Sequence, residues 1–264
     1  MFAVAIFSLG TPVDDEARAL ADDLGTTAYE ERLRLASGLP LIVRTFAEAD
    51  DARALLARLR ARGHGAVACD GRAVVEAASR VTIRAFSLGA DGLELPGPPV
   101  PRSMRYDGML ALVRARHRAE VRTLTTVREK RFSPGRALLS GGLVTKKGTT
   151  RQETQTDIAD EQVLYLFPES GDAPWILRER SAQYAGLGPL LQPSSLQNFL
   201  TVVTELRARA PGAAYDERLL SVRGIPSQLR RRGPAGAEVH ALSDADGVAL
   251  LAQLTAFWLG RLER

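Results

Sequence analysis

The sequence predicts an α+β protein. A small β-α-α-β-α-β domain spans residues 1–78. A mostly β domain, 79–211, follows and is closed by an amphipathic helix, and a C-terminal extension, 212–264, ends in a second one. Three observations carry this. Residues 41–70 switch from a β-branched run to helical spacing and back to a strand. The stretch 111–122 alternates apolar and basic residues with period two. Two helix signatures, each with its own start signal, come after the β-rich part.

Phe2 to Phe7 is an apolar strand. Thr11-Pro12-Val13-Asp14 reads as a helix start with Thr11 as N-cap and proline in the first turn, and Gly25 ends that helix. Thr27 and Glu30 have capping-box spacing and open a second helix, which Gly38 and Pro40 stop. Leu41 to Phe46 is the next strand. From Ala49 to Arg62, Ala52, Leu55, Leu56 and Leu59 share a face, with acids in the first turn and arginines in the last. Gly63 ends the helix and Ala66 to Cys69 is a strand.

This order, in FAVAIFSLGTPVDDEARALADDLGTTAYEERLRLASGLPLIVRTFAEADDARALLARLRARGHGAVACD, resembles the C-terminal domain of the bacterial ribosomal stalk protein. It is also similar to the N-degron adaptor of the Clp protease. The resemblance implies a protein-binding module without catalysis. It carries over no site residues. After the first strand this chain has Ser8-Leu9-Gly10, and in the second helix Leu35-Ala36-Ser37, in place of the adaptor's ligand residues. The segment also contains no lysine.

Arg80 to Leu88 reads as a strand that turns at Ala90-Asp91-Gly92 into Leu93–Leu95. In 110–122, Ala111, Val113, Ala115, Ala119 and Val121 alternate with Arg114, Arg116, Arg118 and Arg122. A helix competes, because Arg114, Arg118 and Arg122 also repeat every four residues. The Thr123–Val127 run favours strand. The flanks of 133–148 pair as an extended hairpin with that segment as its tip. Val163–Phe167 and Trp175–Leu177 are further strands. Ser194 and Gln197 have capping-box spacing, and Leu196, Phe199, Leu200, Val203 and Leu206 form the apolar face that follows. With FSLGADGLEL before YDGMLALV, residues 79–211 resemble a bacterial pleckstrin-homology-like domain. That resemblance implies a lipid- or peptide-docking barrel without chemistry. The last helix starts at Ser243-Asp244-Ala245-Asp246, and Val248, Leu251, Leu254, Phe257, Trp258 and Leu262 can pack on the second domain or on a second copy.

The net charge of +4 conceals a segregation. Residues 1–78 hold 9 Arg against 12 acids, whereas 102–151 hold 13 Lys and Arg against 3 acids. The single Cys69 excludes an internal disulfide, and its reading is a small residue at a strand end in a reducing compartment. No P-loop, dinucleotide fingerprint, HExxH or paired CxxC occurs, and His64, His117 and His240 have no ligand spacing. No catalytic, cofactor-binding or metal residue is therefore assigned. The start of the sequence lacks the basic region of a signal peptide, and no run of about 18 apolar residues is present.

Two features remain. Arg114, Arg116, Arg118 and Arg122, at alternating strand positions, stand about 7 Å apart and are anion-binding candidates; the other reading pairs them with acids such as Glu153, Asp157, Asp160 and Glu161. Arg136, Leu138, Leu139, Leu143, Val144, Lys146 and Lys147 form an interaction-loop candidate. The expectation is a non-enzymatic cytoplasmic adaptor or scaffold acting on a protein partner or a second copy. The alternative is an anion-binding module for nucleic acid or an acidic membrane surface through 102–151.

Overall fold

In the computed structural model, the described residues are 1–71, 80–97, 102–132, 146–222, 239–243 and 245–262; within 118–159, 239–243 and 261–262, which includes Leu262, the description is of the backbone alone. Contacts divide the chain into two compact units. One is Met1–His117 with Asp160–Arg230 and Asp244–Arg264, and the other is Arg118–Ala159 with Arg231–Ser243.

The α+β class is observed. The chain opens with β1 (Phe2–Ser8), α1 (Val13–Leu24), α2 (Ala28–Ala36), β2 (Leu41–Phe46), α3 (Ala49–Ala61) and β3 (Gly65–Asp70). The strands form an antiparallel sheet in the order β2-β1-β3. Gly25 ends α1 at φ 66°, and the Thr27–Glu30 capping box is made in both directions. One start signal is displaced. Pro12, not Thr11, is the N-cap of α1, with no side-chain cap; its carbonyl takes the N–H groups of Asp15 and Glu16, at 3.1 and 3.0 Å. The ring fixes φ at −56°, which a helix would accept, but ψ is extended at 147°, so Pro12 stays outside and the helix begins after it.

Val4 and Ile6 of β1 face α1 and α3, packed with Leu20, Leu35, Leu55 and Leu59. Leu56, expected on the same face, is only half-buried there. A buried polar network ties the two helices together. The Gly10 N–H donates to His64 Nδ1 at 2.9 Å, so the ring proton sits on Nε2 and points at Glu16, 2.5 Å away. Arg62 grips Glu16 through Nε and Nη2, both at 2.9 Å, and reaches Asp23 at 2.9 Å. Glu16 and His64 are almost wholly buried, and their mutual pairing is what makes that tolerable. Both outer strands also give carbonyls to arginines: Arg34 Nη2 takes those of Ile42 and Val43, and Arg60 that of Ala66.

The second half is mostly β. A six-stranded sheet runs β11 (Ala214–Asp216), β8 (Met109–Phe132), β9 (Lys146–Pro168), β10 (Trp175–Arg178), β4 (Val81–Ile83), with β12 (Val239–Ser243) also on β8. A small sheet joins β5 (Ser87–Leu88), β6 (Gly92–Leu95) and β7 (Arg102–Arg105). Residues 110–122 are strand. Helix α4 (Ser195–Arg209) covers one face of the large sheet, burying Phe199, Val202, Val203 and Leu206 against Leu112, Leu164 and Leu166.

Three expectations are corrected. Arg80–Leu88 is not one strand: β4 pairs parallel with β10, while β5 pairs with β6 in the other sheet. The break lies where Phe86 turns inward, edge to face with Tyr184. Leu196 is not on the apolar face of α4 but 40% exposed, and Val202 takes a core place instead. On the last helix, α5 (Ala245–Leu262), Phe257 is 45% exposed rather than packed.

Helix α5 is apolar on opposite sides. It packs against Ala3, Ala5, Phe7 and Val67 of the first sheet and against Ala111, Val113, Ala115, Val163, Tyr165 and Phe167 of the large one. Trp258 stacks on Phe7 at 5.6 Å between ring centroids. It does so only because residue 65 is glycine: a Cβ there would collide with Ser8 Oγ and lie 2.6 Å from the indole. Among the described residues no helix is long and apolar enough to cross a membrane.

Candidate functional site

The arginine row divides along β8. Arg114 is half-buried and engaged within the chain. Its Nε and Nη2 donate to Gln162 Oε1 at 2.9 and 2.6 Å, and Nη1 reaches Glu217 at 3.3 Å. Tyr215 donates to the same carboxylate at 2.8 Å. Two of the acids offered as partners are placed: Glu161 pairs instead with Arg178, and Asp160 stands exposed at the edge of the described side chains. Arg116 is exposed. Arg118 and Arg122 continue β8, Arg122 opposite His240 of β12, and their side chains lie outside the described residues, as do those of Glu153 and Asp157. Arg136, Leu138, Leu139, Leu143 and Val144 lie outside the described residues altogether. Lys146 and Lys147 open β9, with side chains outside the description.

His117, on the α5 side of β8, is 6% exposed and holds the Tyr165 hydroxyl at 2.7 Å. Burial, reinforced by the Arg178 and Arg80 charges, pushes its pKa down to about 3. It is therefore a neutral core residue at ordinary pH. Among the described residues its Nδ1 has no hydrogen-bond partner. Cys69 is pushed up to about 12 by burial and then by the neighbouring Asp70 carboxylate, so it is a thiol and not a thiolate nucleophile. No group of three or more His, Cys, Asp or Glu able to hold a metal occurs among the described residues.

The surface that sequence reasoning missed is a corner built from residues 184–198. Tyr184 anchors its start: the hydroxyl donates to the Glu179 carbonyl at 2.8 Å, and burial raises its pKa. Residue 186 must be glycine, because a Cβ would run into the Phe86 carbonyl. Leu187 then enters the core, 3% exposed. Gly188, at φ 54°, reverses the chain, a conformation open to glycine at little cost. Leu190 and Leu191 follow on the outside, 39% and 53% exposed. Asn198, nearly buried, clamps the return: Gln192 N–H donates to its Oδ1 at 2.7 Å and its Nδ2 donates to the Gln192 carbonyl at 2.9 Å. Ser194 caps α4 by accepting from Gln197 N–H at 3.2 Å, and Leu196 emerges in the first turn.

Three leucines thus project from one short, internally pinned corner. Isolated exposed leucines are ordinary, but leucines carried on a hydrogen-bonded corner can be covered without much ordering cost. The sequence did contain a signal, Gly-Leu-Gly-Pro-Leu-Leu-Gln-Pro from 186 to 193, whose turn residues bracket an apolar pair. A second exposed pair, Tyr29 and Leu33, lies one turn apart on α2, 70% and 55% exposed. Compared with known protein families, curated proteins and solved structures, the chain finds no match.

Proposed function

We propose that this protein is a non-enzymatic adaptor or scaffold that works by protein–protein interaction, and that the Leu190–Leu191–Leu196 corner is where the partner docks. The observation that carries the reading is the pairing of exposure with hydrogen-bonded support: apolar side chains 39–53% exposed on a loop and the first helical turn after it, joined by the Gln192–Asn198 clamp. A preformed apolar surface loses little conformational entropy on binding, and each buried leucine contributes about 1.5–3 kcal/mol of transfer free energy. The partner expected is another protein with an apolar groove; a second copy of this chain is the competing occupant. The single thiol-state Cys69 suits a reducing cytoplasm.

The test compares the full chain with L190S/L191S/L196S. In quantitative capture from cell extract, the parent should enrich a protein that the variant loses, and the purified pair should protect residues 187–198 from hydrogen exchange. The melting temperatures of the two should agree within a few degrees, since the leucines are outside the core. Equal capture by both, or protection elsewhere only, would refute the reading. A parent that sediments as a dimer while the variant is monomeric would assign the corner to self-association.

A further inference from the structure

Strand β8 ends at Phe132 and β9 begins at Lys146, and the two are neighbours in one sheet. The connection, 133–145, spans at most about 50 Å when fully extended. A strand as long as β9 measures on the order of 75 Å. The two strands must therefore run antiparallel. The hydrogen bond from Glu169 N–H to the Gly108 carbonyl, 2.9 Å, closes their other end as that requires. The last residues of β8 and the first of β9 consequently lie side by side.

The sequence places Arg128, Lys130 and Arg131 on the first of these ends and Lys146, Lys147 and Arg151 on the second. Across 128–132 and 146–151 Glu129 is the lone acid. All three lysines of the chain are here. Neither strand alone holds this concentration; the antiparallel pairing creates it.

We propose that this end of the β8–β9 pair binds the phosphate backbone of double-stranded nucleic acid. Six cations against one acid give the charge complementarity. Thr149, Thr150 and Gln152 are interspersed, residue types that donate hydrogen bonds to phosphate oxygens. Beyond Thr123, where the pairing with β12 ends, the described residues form a two-stranded ribbon, and such a ribbon has the width that the major groove admits. A membrane surface fits less well: in 125–132 and 146–155 only Val127 and Phe132 are apolar, too few to anchor in a bilayer interface. The proposal goes beyond protein docking and does not use the leucine corner.

The test is fluorescence anisotropy of a labelled mixed-sequence DNA duplex with the full chain at about 50 and about 200 mM salt. The parent should bind at the lower salt and weaken by about a thousandfold at the higher if all six cations contact phosphates. R128Q/K130Q/R131Q/K146Q/K147Q/R151Q should bind at least about tenfold more weakly, with a flattened salt dependence. If that variant lacks a cooperative melt, K146Q/K147Q/R151Q alone should remove about half of the salt slope. R128K/R131K/R151K, which keeps the charge, should bind as the parent does. No duplex binding at the lower salt would overturn the proposal, and so would affinity unchanged by the glutamine variants. Flotation with phosphatidylserine vesicles in place of duplex binding would assign the strand ends to a membrane surface instead.

Discussion

Arg218 holds Phe7 from two directions at once: its guanidinium lies over the ring, 5.7 Å from the centroid, and its Nη1 donates to the Phe7 carbonyl at 3.1 Å. The other side of the guanidinium grips Asp216, which is nearly buried, through Nε and Nη2 at 2.9 and 2.6 Å. The two residues are 211 apart in sequence, so this contact ties the end of β1 to the turn after β11. Arg218→Ala should destabilise the chain by about 1–2 kcal/mol, a modest figure because the arginine is partly solvated. Arg218→Lys should recover less than half of it, since an ammonium cannot stack and fork together. Urea unfolding of the three proteins checks this; equal midpoints would show that the contact contributes nothing.

Gly10 packs on the backbone of Gly63, where a Cβ would stand 2.5 Å from both the Gly63 carbonyl carbon and oxygen. Backbone cannot step aside as a side-chain tip can. Gly10→Ala should therefore cost about 1–3 kcal/mol, and it should weaken the Gly10–His64 hydrogen bond. The check is a lower melting temperature together with a shifted His64 ring resonance. An unchanged resonance would mean that the loop relaxes elsewhere.

His117 gives the stability a pH dependence of predictable sign. The folded protein keeps the ring neutral down to about pH 3, whereas the unfolded chain takes up a proton near the usual histidine value of 6.5. Protonation therefore favours unfolding. The contribution is intact above pH 6.5 and is lost progressively as the pH falls toward 3. Between pH 7 and 4.5 it should amount to about 2–3 kcal/mol. His117→Gln can still bond the Tyr165 hydroxyl but does not titrate. The parent should lose that much more stability than the variant over this range, and parallel profiles would count against it.

Cys69 should resist alkylation in the folded protein. At pH 8 a thiol with its pKa pushed to about 12 is almost wholly protonated, and the thiolate is the reacting species. Iodoacetamide should label it at least tenfold faster in denaturant, read by intact mass. Equal rates would show that β3 opens readily.

The first 70 residues were legible because local rules and burial agree there. The capping box of α2, the left-handed Gly25, the acid-first polarity of α3 and the three strands all stand where the sequence put them. The second half was legible as strands but not as partners. Nothing local in Val81–Ile83 announces a parallel mate at Trp175–Leu177, because such a pairing is specified only by the cores on both faces. Leu196 illustrates the same limit. Helical spacing put it on the apolar face of α4, yet the Gln192–Asn198 clamp fixes where the chain enters and turns it outward. Arg114 is the converse case. Its spacing suited phosphates, and the residues that occupy it, Gln162 and Glu217, lie 48 and 103 positions away.

Helix α5 inserts between two sheets, one of which is complete within the first 70 residues. A ribosome adding about 5–20 residues per second needs on the order of 10–40 s to make the chain from there to the end of α5. Through that interval Phe7, Ile42 and Val67, all core residues in the finished protein, face water on the unfinished side of the first sheet. The nascent protein thus carries a timed hydrophobic exposure that ends only when α5 arrives. Premature association through that face is therefore a hazard of synthesis and not of the finished fold.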